Sequence, residues 1–316
     1  MFLSIILLIF GFIILIKGAD IFVDGASSIA GNLKLSKILI GLTIVAFGTS
    51  MPEFAVSIKS IIAGSGDIVL GNVIGSNILN ILLILGCCAL VHPLNVKNNT
   101  VKKELPITML ITTLFAVLLS DNIFDKGLKN TFTRADGITI LLFFSVFIYY
   151  LISISRNKIT DEKEEELLSM KKSILFTIIG LIGVVLGSNF VVDSAIDLAQ
   201  TLGVSERLIS LTIIAFGTSL PELVTSVTAT KKGEYDIAIG NVVGSNIFNI
   251  GIVIGIPIAI FGGIGIITFS YIDLIVMVIA SILLFMFSFN DYKISIKEGI
   301  LFLIIFITYY SYVLVS

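Results

Sequence analysis

The sequence predicts an all-α integral membrane protein with ten transmembrane helices in two inverted-topology five-helix repeats. Three observations carry that prediction. The 316 residues are 56% apolar and only 13% charged, with a mean hydropathy of +1.10, whereas a water-soluble domain carries about 25% charged residues. Charge-free apolar runs recur along the whole chain, many approaching the ~20 residues that a spanning helix needs. The two halves also repeat one another: an offset of 169 residues aligns Gly11–Ile81 with residues 180–250 without a gap.

Read in order, the helices are expected near 2–23, 37–62, 68–91, 104–120, 136–154, 172–195, 206–230, 236–261, 268–289 and 296–315. The N-terminal run has no basic start and no small-residue cleavage site, and its first positive charge, Lys17, follows the apolar stretch. It therefore reads as a first spanning helix, not a signal peptide. One five-helix half covers 1–154 and the other 172–316. Between them, 155–171 is a linker centred on Asp161-Glu162-Lys163-Glu164-Glu165-Glu166, whose charges read as solvated surface and not as a binding site.

Basic residues concentrate in the loops that precede even-numbered helices. Those loops hold Lys34, Lys37, Lys97, Lys102, Lys103, Arg156, Lys158, Lys163, Lys171, Lys172, Lys231, Lys232, Lys293 and Lys297; the opposite loops hold only Lys59, Lys126, Lys129, Arg134 and Arg207. Both termini are expected outside and the linker in the cytoplasm, in a plasma membrane. Five spans per half is an odd number, so the copies face opposite ways. Inverted repeats around a midplane site are a common plan of secondary transporters.

Several functions are excluded. A net charge of −2 argues against nucleic acid as a partner. Cys87 and Cys88 are vicinal within an apolar run, cannot form a CxxC clip, and read as core residues. His92 stands at a segment end without ligand partners. No zinc or redox site is expected, and no cofactor. There is no HExxH and no histidine to spare for a nucleophile, so the chain is not expected to be an enzyme. A channel conducts through weak, multiple sites, and nothing here offers an uninterrupted pore.

The strongest match between the halves sets GLTIVAFGTSMPE (41–53) over SLTIIAFGTSLPE (210–222). An ionisable side chain near the bilayer centre costs at least ~2.5–3.5 kcal/mol and is functional by default. Glu53 and Glu222 are such residues, with no Lys or Arg close in sequence. Pro52 and Pro221 have no N–H, so the carbonyls of Gly48 and Gly217 lose their helical donors, and broken backbone at membrane depth must line a cavity or be buried. Free carbonyls beside a carboxylate form an oxygen cage.

The second match sets GNVIGSNILNI (71–81) over GNVVGSNIFNI (240–250). Its glycines, Gly71 and Gly75 with Gly240 and Gly244, have the spacing that lets helices approach closely. Asn72, Ser76 and Asn80 share one helical face, as do Asn241, Ser245 and Asn249. Thr49, Glu53 and Ser57 form a similar stripe, matched by Thr218, Glu222 and Ser226. Asn77 and Asn246 point about 100° away and read as helix–helix contacts. Every candidate ligand is oxygen, which selects hard cations. Two bidentate glutamates and two carbonyls make about six ligands, the lower end of the calcium range.

These paired GTSxPE and GNVxGSNI segments resemble the alpha-1 and alpha-2 repeats of the calcium/cation antiporter superfamily, closest to its prokaryotic sodium/calcium exchangers. The resemblance covers the whole chain. It implies a secondary active antiporter that exchanges Na⁺ for Ca²⁺ by alternating access; a monomer is expected. It implies four cation positions in a diamond, with calcium held by the carboxylates of Glu53 and Glu222 and the carbonyls of Thr49 and Thr218. Sodium positions would use Ala46, Ser50 and Ser76 on one side and Ala215, Ser219 and Ser245 on the other, with Asn80 and Asn249 completing the middle. The first and sixth helices would slide across this core. About three Na⁺ against one Ca²⁺ would make exchange electrogenic. Some exchangers of this type, notably the potassium-dependent branch, carry an aspartate where this chain has Asn249, so potassium is not expected as a co-substrate and the site has a formal charge of −2. The alternative is H⁺/Ca²⁺ antiport, since protons compete for two carboxylates sharing one site; the sodium-type hydroxyl positions weigh against it.

Overall fold

The computed structural model describes residues 2–120, 131–156, 167–203, 215–265 and 271–315. The described chain is nearly all helix. Its helices are α1 (Phe2–Leu33), α2 (Lys37–Thr49), α3 (Met51–Ile62), α4 (Gly66–Val91), α5 (Leu105–Leu118), α6 (Arg134–Ser155), α7 (Met170–Thr201), α8 (Ala215–Gly217), α9 (Leu220–Lys231), α10 (Tyr235–Phe261), α11 (Tyr271–Asp291) and α12 (Ile296–Val315). Among the described residues, 7 helices are long and apolar enough to cross a membrane, or 8 with α2 and α3 counted as one bent span. The start expected for the seventh helix (206–214), the first residues of the ninth (268–270) and the Asp161–Glu166 cluster lie outside the described residues.

Short strands join the helices in two places. Two ribbons of two-residue strands tie the halves together: β1 (Leu94–Asn95) pairs antiparallel with β4 (Lys293–Ile294), and β2 (Thr131–Phe132) with β3 (Ile264–Gly265). Each satisfies loop backbone that no helix serves. Cys88 is buried and Cys87 half-buried, both as free thiols, as expected of core residues. His92 stacks on Tyr235 with ring centroids 4.8 Å apart.

α4 and α10 form the centre. Their most apolar windows are 78% buried, against 17–33% for the other single-helix spans, so most of the remaining apolar surface is left for lipid. Inside them the hydrogen-bond ladder widens to π-turns at Leu79–Leu85 and Asn249–Ile254. Such widened turns cluster at functional sites, and these two begin beside Asn80 and at Asn249.

α1 was expected to end at 23 but continues to Leu33. Residues 24–33 look loop-like because they are small and polar, yet no proline stops them. Ala26, Ile29 and Ala30 pack with Ile237 and Ala238, and the Ser27 hydroxyl donates to Glu234 at 2.7 Å. α1 and α7 each have 32 residues, about 48 Å of helix, more than the ~30 Å hydrocarbon core. The acids within α1 are answered by one cation: Lys232 reaches Asp20 at 2.8 Å and Asp24 at 2.5 Å. Burial pulls the Lys232 pKa down, but the two aspartates more than offset this and hold it above its ordinary value.

α1 and α7 lie backbone to backbone. A Cβ placed on Gly187 would fall 2.4 Å from the Leu15 nitrogen, and one on Gly18 2.6 Å from the Val184 nitrogen. These two glycines occupy the same position in the two repeats, so both copies keep this side of the helix bare. Backbone cannot yield as a side-chain tip does, and overpacking costs about 1–3 kcal/mol or more. Gly187→Val is therefore expected to lower the melting temperature of the purified protein by several degrees. An unchanged melt would mean that α1 and α7 do not pack in this register.

Candidate functional site

The chain breaks where the prolines predict. α2 and α3 meet at Ser50 with a bend of 45°, and Pro52 sits in the first turn of α3. In the second half, α8 ends at Gly217 and Pro221 sits in the first turn of α9. Each break starts a new helix whose first turn carries the glutamate, Glu53 or Glu222. A helix N-terminus favours negative charge through its unpaired N–H groups and its dipole. The proline thus does two things: it opens the chain and it places a carboxylate at a helix start.

The two breaks interlock. Ser50 of the first half donates to Glu222 Oε1 at 3.1 Å, and Ser219 of the second half donates to Glu53 Oε1 at 3.4 Å. Ser219 also reaches the Ser76 hydroxyl at 3.2 Å. The Ser245 hydroxyl lies 3.5 Å from both Glu222 Oε1 and the Ala46 carbonyl. Thr49 donates to Asn241 Oδ1 at 3.0 Å. Glu53 and Glu222 are 0% exposed, and Ala46, Thr49, Ser50, Ser76, Asn80, Ser219, Ser245 and Asn249 are all buried with them. Thr218 is half-buried in the turn after Gly217. Ala215 is described only as the backbone that opens α8.

Neither glutamate has an ion-pair partner among the described residues, and no group of three or more His, Cys, Asp or Glu occurs among them. Each glutamate leaves its second oxygen, Oε2, buried without a donor; Asn80 Oδ1 and Asn249 Oδ1 are in the same condition. These four atoms are all acceptors. Leaving a buried charge without a partner costs several kcal/mol, so an arrangement of this kind calls for positive charge.

Four asparagines outside the expected ligand set also surround the site. Asn72 donates to the Glu53 carbonyl and to Ser57, and Asn241 to the Glu222 carbonyl and to Ser226. These asparagines staple α4 to α3 and α10 to α9 beside each glutamate; their signal was the helical stripe. Asn77 and Asn246 do bridge helices, as expected, but across the two halves: Asn249 donates to Asn77 at 3.2 Å and Asn80 to Asn246 at 3.0 Å.

One expectation is corrected. The Gly217 carbonyl is not free, because Ser188 of α7 donates to it at 3.1 Å. The matching residue in the first half is Ala19, which has no hydroxyl to offer the Gly48 carbonyl. The halves differ again at their glycine pairs. Gly240 and Gly244 press directly on Ile38, Gly41, Leu42 and Ala46, whereas Gly71 is exposed and Gly75 half-buried.

The chain matches the sodium/calcium exchanger protein family over residues 3–153 and 172–315. It is 32% identical to the sodium/calcium exchanger MaX1 of Methanosarcina acetivorans, covering 96% of each chain. It is 37% identical to the inner membrane protein YrbG of Escherichia coli over 83% of this chain and 82% of that one. Among solved structures, the sodium-calcium exchanger NCX_Mj superposes with a TM-score of 0.85 at 34% identity, covering 97% of both chains.

Four unpartnered oxygens predict that a cation stabilises the fold. Ligand at a hundred times its dissociation constant adds about 2.7 kcal/mol. Calcium is expected to raise the melting temperature of the purified protein. Glu53→Gln and Glu222→Gln are each expected to remove that rise while melting no lower than the parent in ion-free buffer. A calcium-dependent rise kept in both variants would place the cation elsewhere.

Proposed function

The chain belongs to the sodium/calcium exchanger protein family, and from that premise we propose that it exchanges Na⁺ for Ca²⁺ by alternating access. What carries the reading is the set of four buried acceptors without donors, Glu53 Oε2, Glu222 Oε2, Asn80 Oδ1 and Asn249 Oδ1, drawn equally from the two halves. A divalent cation neutralises two carboxylates and supplies the missing partner to each. Such a cation is cargo and not a cofactor, and the chemistry is transport and not catalysis.

In this reading Glu53 and Glu222 hold calcium with the carbonyls of Thr49 and Thr218. Sodium uses Ala46, Ser50 and Ser76 on one side and Ala215, Ser219 and Ser245 on the other, with Asn80 and Asn249 between. Support comes from the serine bridges, which bring hydroxyls of each half to the carboxylate of the other. The protein would carry ten helices in two inverted halves, 1–154 and 172–316, in the plasma membrane. Its termini would lie outside, its 155–171 linker in the cytoplasm, and it would work as a monomer.

The experiment is uptake of radioactive calcium into proteoliposomes under an imposed Na⁺, K⁺ or H⁺ gradient. Uptake is expected with Na⁺ alone. Glu53→Gln and Glu222→Gln are each expected to abolish it in protein that still purifies as a single folded species. Uptake driven only by H⁺ would favour proton exchange, and a strict potassium requirement would overturn the branch suggested by Asn249.

Charge balance gives a second test. Two ionised glutamates with one Ca²⁺ are neutral, whereas about three Na⁺ leave one positive charge, and moving that charge is worth ~2.3 kcal/mol per 100 mV. Sodium-driven uptake is therefore expected to change with a potential clamped by valinomycin. Indifference to potential would indicate two Na⁺ per Ca²⁺.

A further inference from the structure

We infer that Asn77 and Asn246 are positioning residues that select which end of the Asn249 and Asn80 amides faces the cations. The inference rests on the exchanger reading above. An asparagine amide offers a cation its oxygen at one end and repels it with two N–H groups at the other, so a neutral ligand is useful only in one of two orientations. Something must choose between them.

In the second half, Asn249 donates through Nδ2 to Asn77 Oδ1 at 3.2 Å and keeps Oδ1 unpartnered. In the first half, Asn80 donates through Nδ2 to Asn246 Oδ1 at 3.0 Å and keeps Oδ1 unpartnered. All four side chains are about 1% exposed, so water does not share the choice. Turning either ligand amide over would set two oxygens against each other and aim its N–H groups at the site. The acceptor on the neighbouring helix therefore holds the oxygen outward. Each pair joins α4 to α10, so the ligand of one repeat is oriented by the other repeat.

The arrangement is kept at some cost. Asn246 Nδ2 is buried without a partner, and Asn77 Nδ2 has only the Met277 sulfur at 3.9 Å, a weak acceptor. Good internal hydrogen bonding would pair these donors. Free ligand oxygens are retained instead.

A carboxylate needs no such selection, because both of its oxygens accept. An aspartate at 249 would make the orienting role of Asn77 redundant. That coupling separates positioning from simple packing, since a packing role is indifferent to whether residue 249 is an amide or an acid.

The test compares the parent, Asn77→Leu, Asn249→Asp and the double variant, all full length. It measures equilibrium binding of radioactive calcium and its displacement by Na⁺, together with flux in proteoliposomes. Asn77→Leu is expected to raise the half-saturating concentration of at least one of the two cations roughly tenfold, with the maximal rate within about twofold. In the Asn249→Asp background the same substitution is expected to shift it by less than about twofold. An equal shift in both backgrounds, or none in the parent, would overturn the inference. Should Asn77→Leu fail to fold, Asn246→Leu compared between the parent and Asn80→Asp decides by the same criterion. Glu53→Gln runs alongside. Lost flux there, with no effect of Asn77→Leu, sinks the positioning role and leaves the exchanger reading standing. Flux retained in Glu53→Gln sinks the reading and the inference together.

Discussion

Two carboxylates buried in a lipid-embedded protein with no basic partner are the constraint on which the rest of this structure turns. Moving an isolated charge out of water costs several kcal/mol even after relaxation, and nothing permanent in the described chain neutralises Glu53 or Glu222. Each feature around them lowers that cost without abolishing it. The helix breaks give each glutamate a helix start, the serines of the opposite half donate to one oxygen, and the other oxygen is left open. A site neutralised outright by lysine or arginine would bind no cation. A site with no compensation at all would not stay folded.

Holding four open oxygens in place requires a frame that does not give. α4 and α10 supply it from the centre of the bundle, with Asn72 and Asn241 fastening each to the backbone of the neighbouring glutamate. Gly240 and Gly244 let α2 approach α10 until Ala46 and Ser245 meet across the helices. Outside this frame, α1 and α7 meet through bare glycine surfaces and the buried side chains of Leu15, Ala19, Val184 and Val191.

The two repeats are close in sequence but not equivalent in contact. Ser188 ties α7 to the carbonyl that Pro221 frees, and Ala19 provides no counterpart. Lys232 clasps Asp20 and Asp24 of α1, while the matching position in the first half is Ala63. In the proposed exchange, such unequal contacts would make one access arrangement lower in free energy than the other, and a ligand would shift the balance only through its differential affinity for the two.

Much of this was legible in the chain. Hydropathy reveals a membrane protein because lipid solvates no backbone or charge, so long apolar runs have few alternatives to helix. The 169-residue repeat, the prolines and the lone glutamates place the break, the carboxylates and the serines beside them, because proline's missing N–H and the cost of an intramembrane charge are properties of the residues themselves. Other features depended on neighbours brought from the opposite half. The extension of α1 to Leu33 comes with burial against Ile237 and Ala238, and the occupied Gly217 carbonyl from a serine 29 residues away in the chain. Asn77 and Asn246 show the division most clearly. Helical spacing turned them away from the stripe of Asn72, Ser76 and Asn80 and its counterpart, but a one-dimensional repeat does not say that each asparagine would meet the amide of the other half. Hydrogen-bond partners across 166 and 172 residues are set by how helices cross, and only the tertiary structure decides that.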